Sequence, residues 1–165
     1  MKKIPKYLII DVDGVMTTGQ FIYDKSGKAM KIFGAHDNDG LKIIKNYFRI
    51  LFLTADKQGF KISKKRITGD MGFDLELIDE KNRYLYLEKK YKFNNIIYIG
   101  DGIYDAKILS KAELGICPSN ARREAIKSCD YVTPSESGNG AVLDSCLYIL
   151  KRYYKKEYAS FIKNI

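Results

Sequence analysis

The chain has 165 residues, with no tryptophan, one histidine, three prolines and three cysteines. A lone histidine, His36, cannot build a multi-histidine zinc site, and its place before Asp37-Asn38-Asp39 reads as an ordinary loop position. Cys117, Cys129 and Cys146 are odd in number and none falls in a C-x-x-C pair, which argues against a zinc knuckle or a disulfide framework. Three reduced thiols in a cytoplasmic protein is the reading that remains. No apolar run approaches the ~20 residues needed to cross a bilayer, so no membrane partner is expected. The start, MKKIPKYLIID, is basic and then apolar, but its apolar part is short, runs into an aspartate and lacks a small-residue cleavage site, so no signal peptide is expected. A P-loop nucleotide enzyme is excluded because no G-x-x-x-x-G-K-[ST] occurs.

Hydrophobic residues make up 45% of the chain and charged residues 30%, a globular composition rather than a disordered one. The length suits one domain, 1–165, able to bury roughly two thirds of the surface of its unfolded chain. Lysine and arginine number 29 against 20 acidic residues, a net charge of +9. The excess is dispersed, with local densities at Lys61-Lys64-Lys65-Arg66, Lys89-Lys90-Lys92 and Lys151-Arg152-Lys155-Lys156. These read as solvated helix faces. A small anionic substrate fits them better than a nucleic acid, since no aromatic–basic groove is evident.

Short apolar runs at 6–10, 50–53, 96–99 and 114–117 read as buried parallel strands. Segments 38–48, 79–91 and 103–111 carry apolar residues at helical spacing. Alternating strands and helices predict an α/β fold, a doubly wound Rossmann-like parallel sheet with right-handed crossovers. Residues 21–33, FIYDKSGKAMKIF, break the alternation as two short runs around a Lys-Ser-Gly turn, predicting a β-hairpin inserted after the first strand, within about 20–34. Nothing else is long enough to form a large cap domain. Residues 152–165 are expected to form an aromatic and basic tail.

In a doubly wound sheet, ligands bind beyond the carboxyl ends of the strands. Three of those ends read Asp11-Val12-Asp13-Gly14, Thr54-Ala55-Asp56 and Gly100-Asp101-Gly102-Ile103-Tyr104-Asp105. Any one aspartate could simply cap the next helix. Clustered carboxylates repel, however, and burying them is costly unless a cation or proton neutralises them, so a hard divalent cation, Mg²⁺, is expected among Asp11, Asp13, Asp101 and Asp105. Asp11 and Asp13 are two apart, which on an extended backbone points both the same way.

These residues resemble the motifs of haloacid-dehalogenase-type phosphatases: DVDGV their first motif, Thr54 their second and GDGIYD their fourth. The resemblance implies Asp11 as the nucleophile, Asp13 as the general acid/base, Thr54 as a phosphoryl hydrogen-bond partner and Mg²⁺ held by Asp11, the Asp13 carbonyl and Asp101, with Asp105 close by. It implies a phosphate-facing lysine, for which Lys81, opening the helix before the GDGIYD strand, is the candidate. Lys61, Lys64 and Lys65 compete.

The hairpin, the segment through Asp39 and Gly40, and Gly138-Asn139-Gly140-Ala141-Val142 resemble the capless branch typified by phosphatases of 3-deoxy-D-manno-octulosonate 8-phosphate and of nonulosonic (sialic-acid-like) acid 9-phosphates. That branch implies a small sugar-acid phosphate substrate, bound at Asp39, Gly40, Ala55, Asp56 and Gly102, in bacterial surface-carbohydrate synthesis such as that of lipopolysaccharide. It also implies a homotetramer in which a neighbour covers the open site. The chain departs from the octulosonate pattern in having Ala55-Asp56 where Gly-Arg is usual; an acidic residue there looks more like the nonulosonate enzymes. Further departures are Ser137 for a glycine and Leu143-Asp144 for Arg-Glu. Two other readings stand beside this one: a nucleic-acid 3′-end phosphatase, favoured by the charge, and a non-catalytic phosphate-sensing module.

Overall fold

The structure, a computed structural model, describes residues 4–156. Strand β1 (Tyr7–Asp11) forms from consecutive branched and apolar residues, and Leu8, Ile9 and Ile10 have no exposed surface. A wound turn over Val12–Met16 leads into a hairpin of β2 (Thr17–Asp24) and β3 (Gly27–Phe33). Then follow α1 (His36–Ile44), β4 (Arg49–Thr54), α2 (Phe60–Lys64), β5 (Asp74–Leu77), α3 (Glu80–Lys90), β6 (Ile96–Ile99), α4 (Ala106–Leu109), β7 (Leu114–Cys117), α5 (Arg123–Ile126), β8 (Tyr131–Val132) and α6 (Ala141–Tyr154).

Six strands form one parallel sheet in the order β5-β4-β1-β6-β7-β8. The chain steps outward from β1 through β4 to β5, then returns to β6 on the other side of β1. The carboxyl ends of β4, β1 and β6 therefore lie side by side where the winding direction changes. Register fixes their levels: Asp11 lies opposite Leu53, and Ile10 opposite Ile99.

Both faces of the sheet are covered, which is why its strands read as continuous apolar runs. Leu8, Ile10 and Phe52 face a layer of Leu41, Ile44, Val142, Ile149 and Leu150 from α1 and α6. Ile9, Leu51 and Leu53 face Leu87, Ile108, Leu109 and Ala125 from α3, α4 and α5. This period-2 division is the pleat expressed as two cores.

The doubly wound sheet and the hairpin after its first strand are as the sequence predicts, but several elements differ. The helix expected over 38–48 ends at Ile44, although Phe48 still reaches the core at 5% exposure. That expected over 103–111 shrinks to Ala106–Leu109, because the Asp105 carboxylate accepts the N–H groups of Asp101 and Gly102 and holds the preceding residues in a turn. The sequence reading missed the short edge strands β5 and β8 and the whole of α6. The start of the expected tail is thus helix: Tyr153 and Tyr154 pack on their own subunit, Tyr154 edge-on to Tyr47 with ring centroids 4.7 Å apart. The rest of that tail, 157–165, lies outside the described residues.

Candidate active site

The turn after β1 is tight because Gly14 adopts φ +91°, and a Cβ there would stand 2.2 Å from Asp101 Oδ2. Glycine is therefore what lets the first and fourth motifs close on one another. Asp11, Asp101 and Asp105 each place a carboxylate oxygen within 4.8 Å of the others, the one such acidic cluster among the described residues. Asp11 and Asp105 are 7% and 3% exposed.

Electrostatics follow from that crowding. Burial first, then repulsion from Asp105, Asp101 and Asp13, lifts the Asp11 carboxyl well above the ordinary range against the opposing pull of Arg83. Burial, reinforced by Asp105 and Asp13, lifts Asp101 to about 7. Asp105 is saturated with donors: Tyr98 Oη at 2.6 Å and Arg83 Nη1 at 3.2 Å on Oδ1, and two loop N–H groups on Oδ2. Among the described residues no side chain hydrogen-bonds the Asp101 carboxylate. Asp105 thus anchors its loop, and Asp101 is the carboxylate left for a ligand.

The third motif is where geometry departs from expectation. Lys81 is exposed on the first turn of α3, and its backbone N–H caps onto Asp79. Arg83, two residues on and 4% exposed, occupies the position expected of it: Nη1 donates to Asp11 Oδ1 at 2.9 Å and to Tyr98 Oη at 3.1 Å. The physical reason is helix phase, since Arg83 shares the inward face with Leu87 one turn later and Lys81 does not. Lys61, Lys64 and Lys65 do not line the cavity either.

Two further cations come from the hairpin. Lys31 Nζ lies 2.7 Å from Asp13 Oδ1, 2.8 Å from Asp56 Oδ2 and 2.9 Å from Ser63 Oγ, with its side chain fully buried. Lys28 Nζ lies 2.6 Å from Asp56 and 3.5 Å above the centre of the Phe21 ring. Burial would raise the Asp56 carboxyl, but the hydrogen bonds and charge of Lys28 and Lys31 outweigh it and hold it at about 2. Thr54 Oγ1 donates to Asp13 Oδ2 at 2.9 Å and accepts the Asp56 N–H at 3.1 Å.

The expected residues Asp11, Asp13, Ala55, Asp56, Asp101, Gly102 and Asp105 all line one cavity of about 270 Å³, with Thr54 behind them. Asp39 and Gly40 do not. Asp39 is exposed and paired with Lys42 at 3.3 Å, and Gly40 packs against Leu143 and Cys146 of α6. Asp37 is the buried member of that segment, accepting from Val142 N at 2.8 Å and more loosely from Gly140 N and Leu143 N at 3.4 Å. It fastens α1 to the start of α6.

Lys28, Lys31, Arg83, Tyr98, Phe21, Glu80 and Tyr104 join the site without having been singled out. A signal existed for two of them: Arg83 is a charge on the apolar face of a helix, and Lys31 alternates with Met30 and Ile32. Two larger depressions, of about 460 and 560 Å³, open elsewhere, sharing Tyr7 and Arg49 at the amino ends of β1 and β4, and neither holds the carboxylate cluster.

Together, five carboxylates (Asp11, Asp13, Asp56, Asp101 and Asp105) meet three cationic side chains. Full ionisation of these eight groups leaves two negative charges, and Glu80 on the same cavity adds a third, an excess that a divalent cation would offset. Hard oxygen donors, an Asp101 carboxylate without a side-chain partner and carboxyls lifted by mutual repulsion all fit Mg²⁺.

The family model of haloacid dehalogenase-like hydrolases matches residues 21–144. The chain is 27% identical over 151 residues to a 3-deoxy-D-manno-octulosonate 8-phosphate phosphatase of Escherichia coli, covering 88% of this chain and 79% of that one. Among solved structures it resembles the Moraxella catarrhalis phosphatase of the same name, in complex with magnesium ion, phosphate ion and the sugar acid, at TM-score 0.80 and 29% identity, covering 97% and 92% of the two chains. It also resembles the cobalt-bound Haemophilus influenzae phosphatase at TM-score 0.79 and 27% identity, covering 92% and 90%.

Proposed function

Because the chain belongs to the haloacid dehalogenase-like hydrolases, we propose that it is a Mg²⁺-dependent phosphatase that hydrolyses the phosphate monoester of a sugar acid through a phosphoryl group carried on Asp11. The observation that carries this reading is the convergence of Asp11 and Asp13 from the end of β1 and Asp101 from the end of β6 on one cavity that also holds Arg83. The relatives named for octulosonate 8-phosphate support the substrate class.

Asp11 attacks phosphorus, and Arg83 Nη1, donating to Asp11 Oδ1 at 2.9 Å, holds the carboxylate so that its other oxygen is oriented for attack. Asp13 gives a proton to the departing sugar oxygen and, in the second half-reaction, takes one from the water that hydrolyses phospho-Asp11. Lys31 and Thr54 fix the Asp13 carboxyl between them for both transfers. Mg²⁺ would be held by Asp11, the Asp13 carbonyl and Asp101, and its charge lets a phosphate dianion approach the carboxylates. Gly102 and Ala55 line the cavity with backbone rather than bulk.

A cavity of about 270 Å³ is small beside the ~300–1,000 Å³ usual for ligand sites. It accommodates the phosphoryl group and the near carbons, leaving the rest of the sugar acid over the hairpin. That hairpin exposes Phe21, Ile22, Tyr23, Met30 and Ile32, each by 39–59%. A two-stranded ribbon is marginal alone. Burying this face against other copies in a homotetramer would both stabilise it and roof the site. Asp56, where octulosonate enzymes carry arginine, favours a nonulosonate 9-phosphate. Such a role belongs to surface-carbohydrate synthesis in the cytoplasm, and no helix among the described residues is long and apolar enough to cross a membrane.

The test compares kcat/KM for octulosonate 8-phosphate, nonulosonate 9-phosphates and p-nitrophenyl phosphate, each with Mg²⁺. A sugar-acid phosphate preferred by ~100-fold or more, worth about 2.7 kcal/mol in the transition state, is the expected result. Equal, slow turnover of all three would defeat the substrate assignment.

A further inference from the structure

Cys117 ends β7 and Cys129 follows α5, twelve residues later, yet their sulfurs stand 2.9 Å apart, one thiol donating to the other. Backbone pairs hold both positions. Thr133 N donates to Cys117 O at 2.9 Å, Cys129 N to Ala125 O at 3.0 Å and Asp130 N to Gly115 O at 2.8 Å. The Asp130 carboxylate returns to Gly115 N at 2.8 Å. The two sulfurs are thus brought together by the edge of the sheet rather than by a chance rotamer. A disulfide of ~2.05 Å needs them to move less than about 1 Å.

We propose that Cys117 and Cys129 form a redox pair, oxidised by a peroxide to an intramolecular disulfide that clamps the segment between them. The division of labour follows from exposure. Cys129 is partly open to solvent, while Cys117 is buried. The hydrogen bond from Cys117 holds the Cys129 thiol down at about 7, whereas that same contact and burial push Cys117 up. A solvent-reached, low-pKa thiol beside a buried partner is the arrangement of an attacking and a resolving cysteine.

Cys129 thiolate attacks one peroxide oxygen, the O–O bond breaks, and hydroxide leaves to take the proton the thiol had lost. The sulfur is now a sulfenic acid. Cys117 sulfur then attacks Cys129 sulfur, the S–O bond breaks and the departing hydroxide takes the Cys117 proton. Two thiols and one hydrogen peroxide become one disulfide and two waters.

The clamped segment touches the active site through its backbone, since Arg122 N donates to Asp101 O at 2.9 Å. Asn120 at the other turn is tied to Ser137, its Nδ2 donating to Oγ and its Oδ1 accepting from the backbone N–H, both at 3.0 Å. Closing the sulfurs would remove freedom from the chain that backs the fourth motif. The third cysteine, Cys146, is buried in the opposite core and serves as an internal reference.

The experiment treats the full chain with hydrogen peroxide, counts thiols after denaturation and maps the linked peptide. Three titratable thiols should fall to one, with a Cys117–Cys129 peptide restored to thiols by dithiothreitol. The unfolding midpoint should rise by roughly 5–10 °C on oxidation in the wild type and not in Cys129→Ser. Cys129→Ser alters a partly exposed position and should match the reduced wild type by circular dichroism. Sulfinic acid at Cys129 with Cys117 still free, or links only between chains, would overturn the pair. An intrachain link without a rise in midpoint would overturn the clamp.

Discussion

Arg83 Nη1 donates to Asp11 Oδ1 at 2.9 Å across 72 residues of sequence, and the same nitrogen lies 3.2 Å from Asp105 Oδ1. One guanidinium on α3 therefore ties the end of β1 to the loop after β6 and offsets charge where the carboxylates crowd. Asp11 and Asp105 in turn hold the Arg83 pKa above its already high ordinary value, in spite of burial. The pair is a structural and a chemical element at once.

Removing it should show both roles. Arg83→Ala leaves two buried carboxylates without their cation and should cost about 3–5 kcal/mol of stability, together with at least ~100-fold in kcat. Lys81→Ala, on the exposed side of the same helix, should change turnover less than about twofold. Thermal unfolding and steady-state hydrolysis of p-nitrophenyl phosphate measure the two; equal losses in both variants would contradict the assignment.

Asp11→Asn should stay folded and lose essentially all turnover, ~10⁴-fold or more, because an amide cannot carry the phosphoryl group. Trapping phosphoprotein with labelled substrate in the wild type and not in Asp11→Asn checks the same step. Near wild-type turnover by the variant would eliminate the covalent route.

Asp101, lifted from an ordinary ~3.9 to about 7, makes the metal-free protein pH-sensitive in a defined direction. Between those values the folded state holds a proton that the unfolded state has released, so stability falls as pH rises from about 4 to about 7, by up to ~4 kcal/mol. Asp56, held at about 2, acts oppositely and only in acid: its contribution is present above ~3.9 and is lost as pH falls through about 2. Unfolding midpoints in chelator should therefore decline from pH 4 to 7, and Mg²⁺ should restore them at neutral pH. Asp101→Asn should flatten the decline; an unchanged slope in that variant would assign it elsewhere.

Lys31→Met should leave Asp13 held by Thr54 alone. The expected outcome is a ~10–100-fold loss in kcat with a smaller change in KM, and a shifted acid limb in the pH–rate profile. A merely structural lysine would lower stability without moving that limb.

Met30→Glu places charge on the exposed hairpin face, where Met30 is 58% exposed. Light scattering should give a mass several times 18.9 kDa for the wild type and a smaller species for the variant. Selectivity for sugar-acid phosphate over p-nitrophenyl phosphate should fall with it. A fully selective wild-type monomer would end the proposal of a shared roof.

The sequence by itself determined the layered sheet, because buried parallel strands must be continuously apolar, as in Leu8-Ile9-Ile10 and Ile96-Ile97-Tyr98-Ile99. It also determined which strand ends are acidic, since Asp11, Asp13, Asp101 and Asp105 stand in local motifs and the winding brings those ends together. It marked the hairpin, whose Lys-Ser-Gly turn is local. What only tertiary structure decided is which cations meet those acids. Arg83 outranks Lys81 through the rotation of α3 against the sheet, and Lys31 enters because the hairpin lays its lysine inward and Met30 and Ile32 outward. The contact of Cys117 with Cys129 and the capping of α6 by Asp37, 105 residues from Val142, belong to the same class. Charge pairing across such distances depends on orientation to within an ångström or two, and no local pattern of residues encodes that.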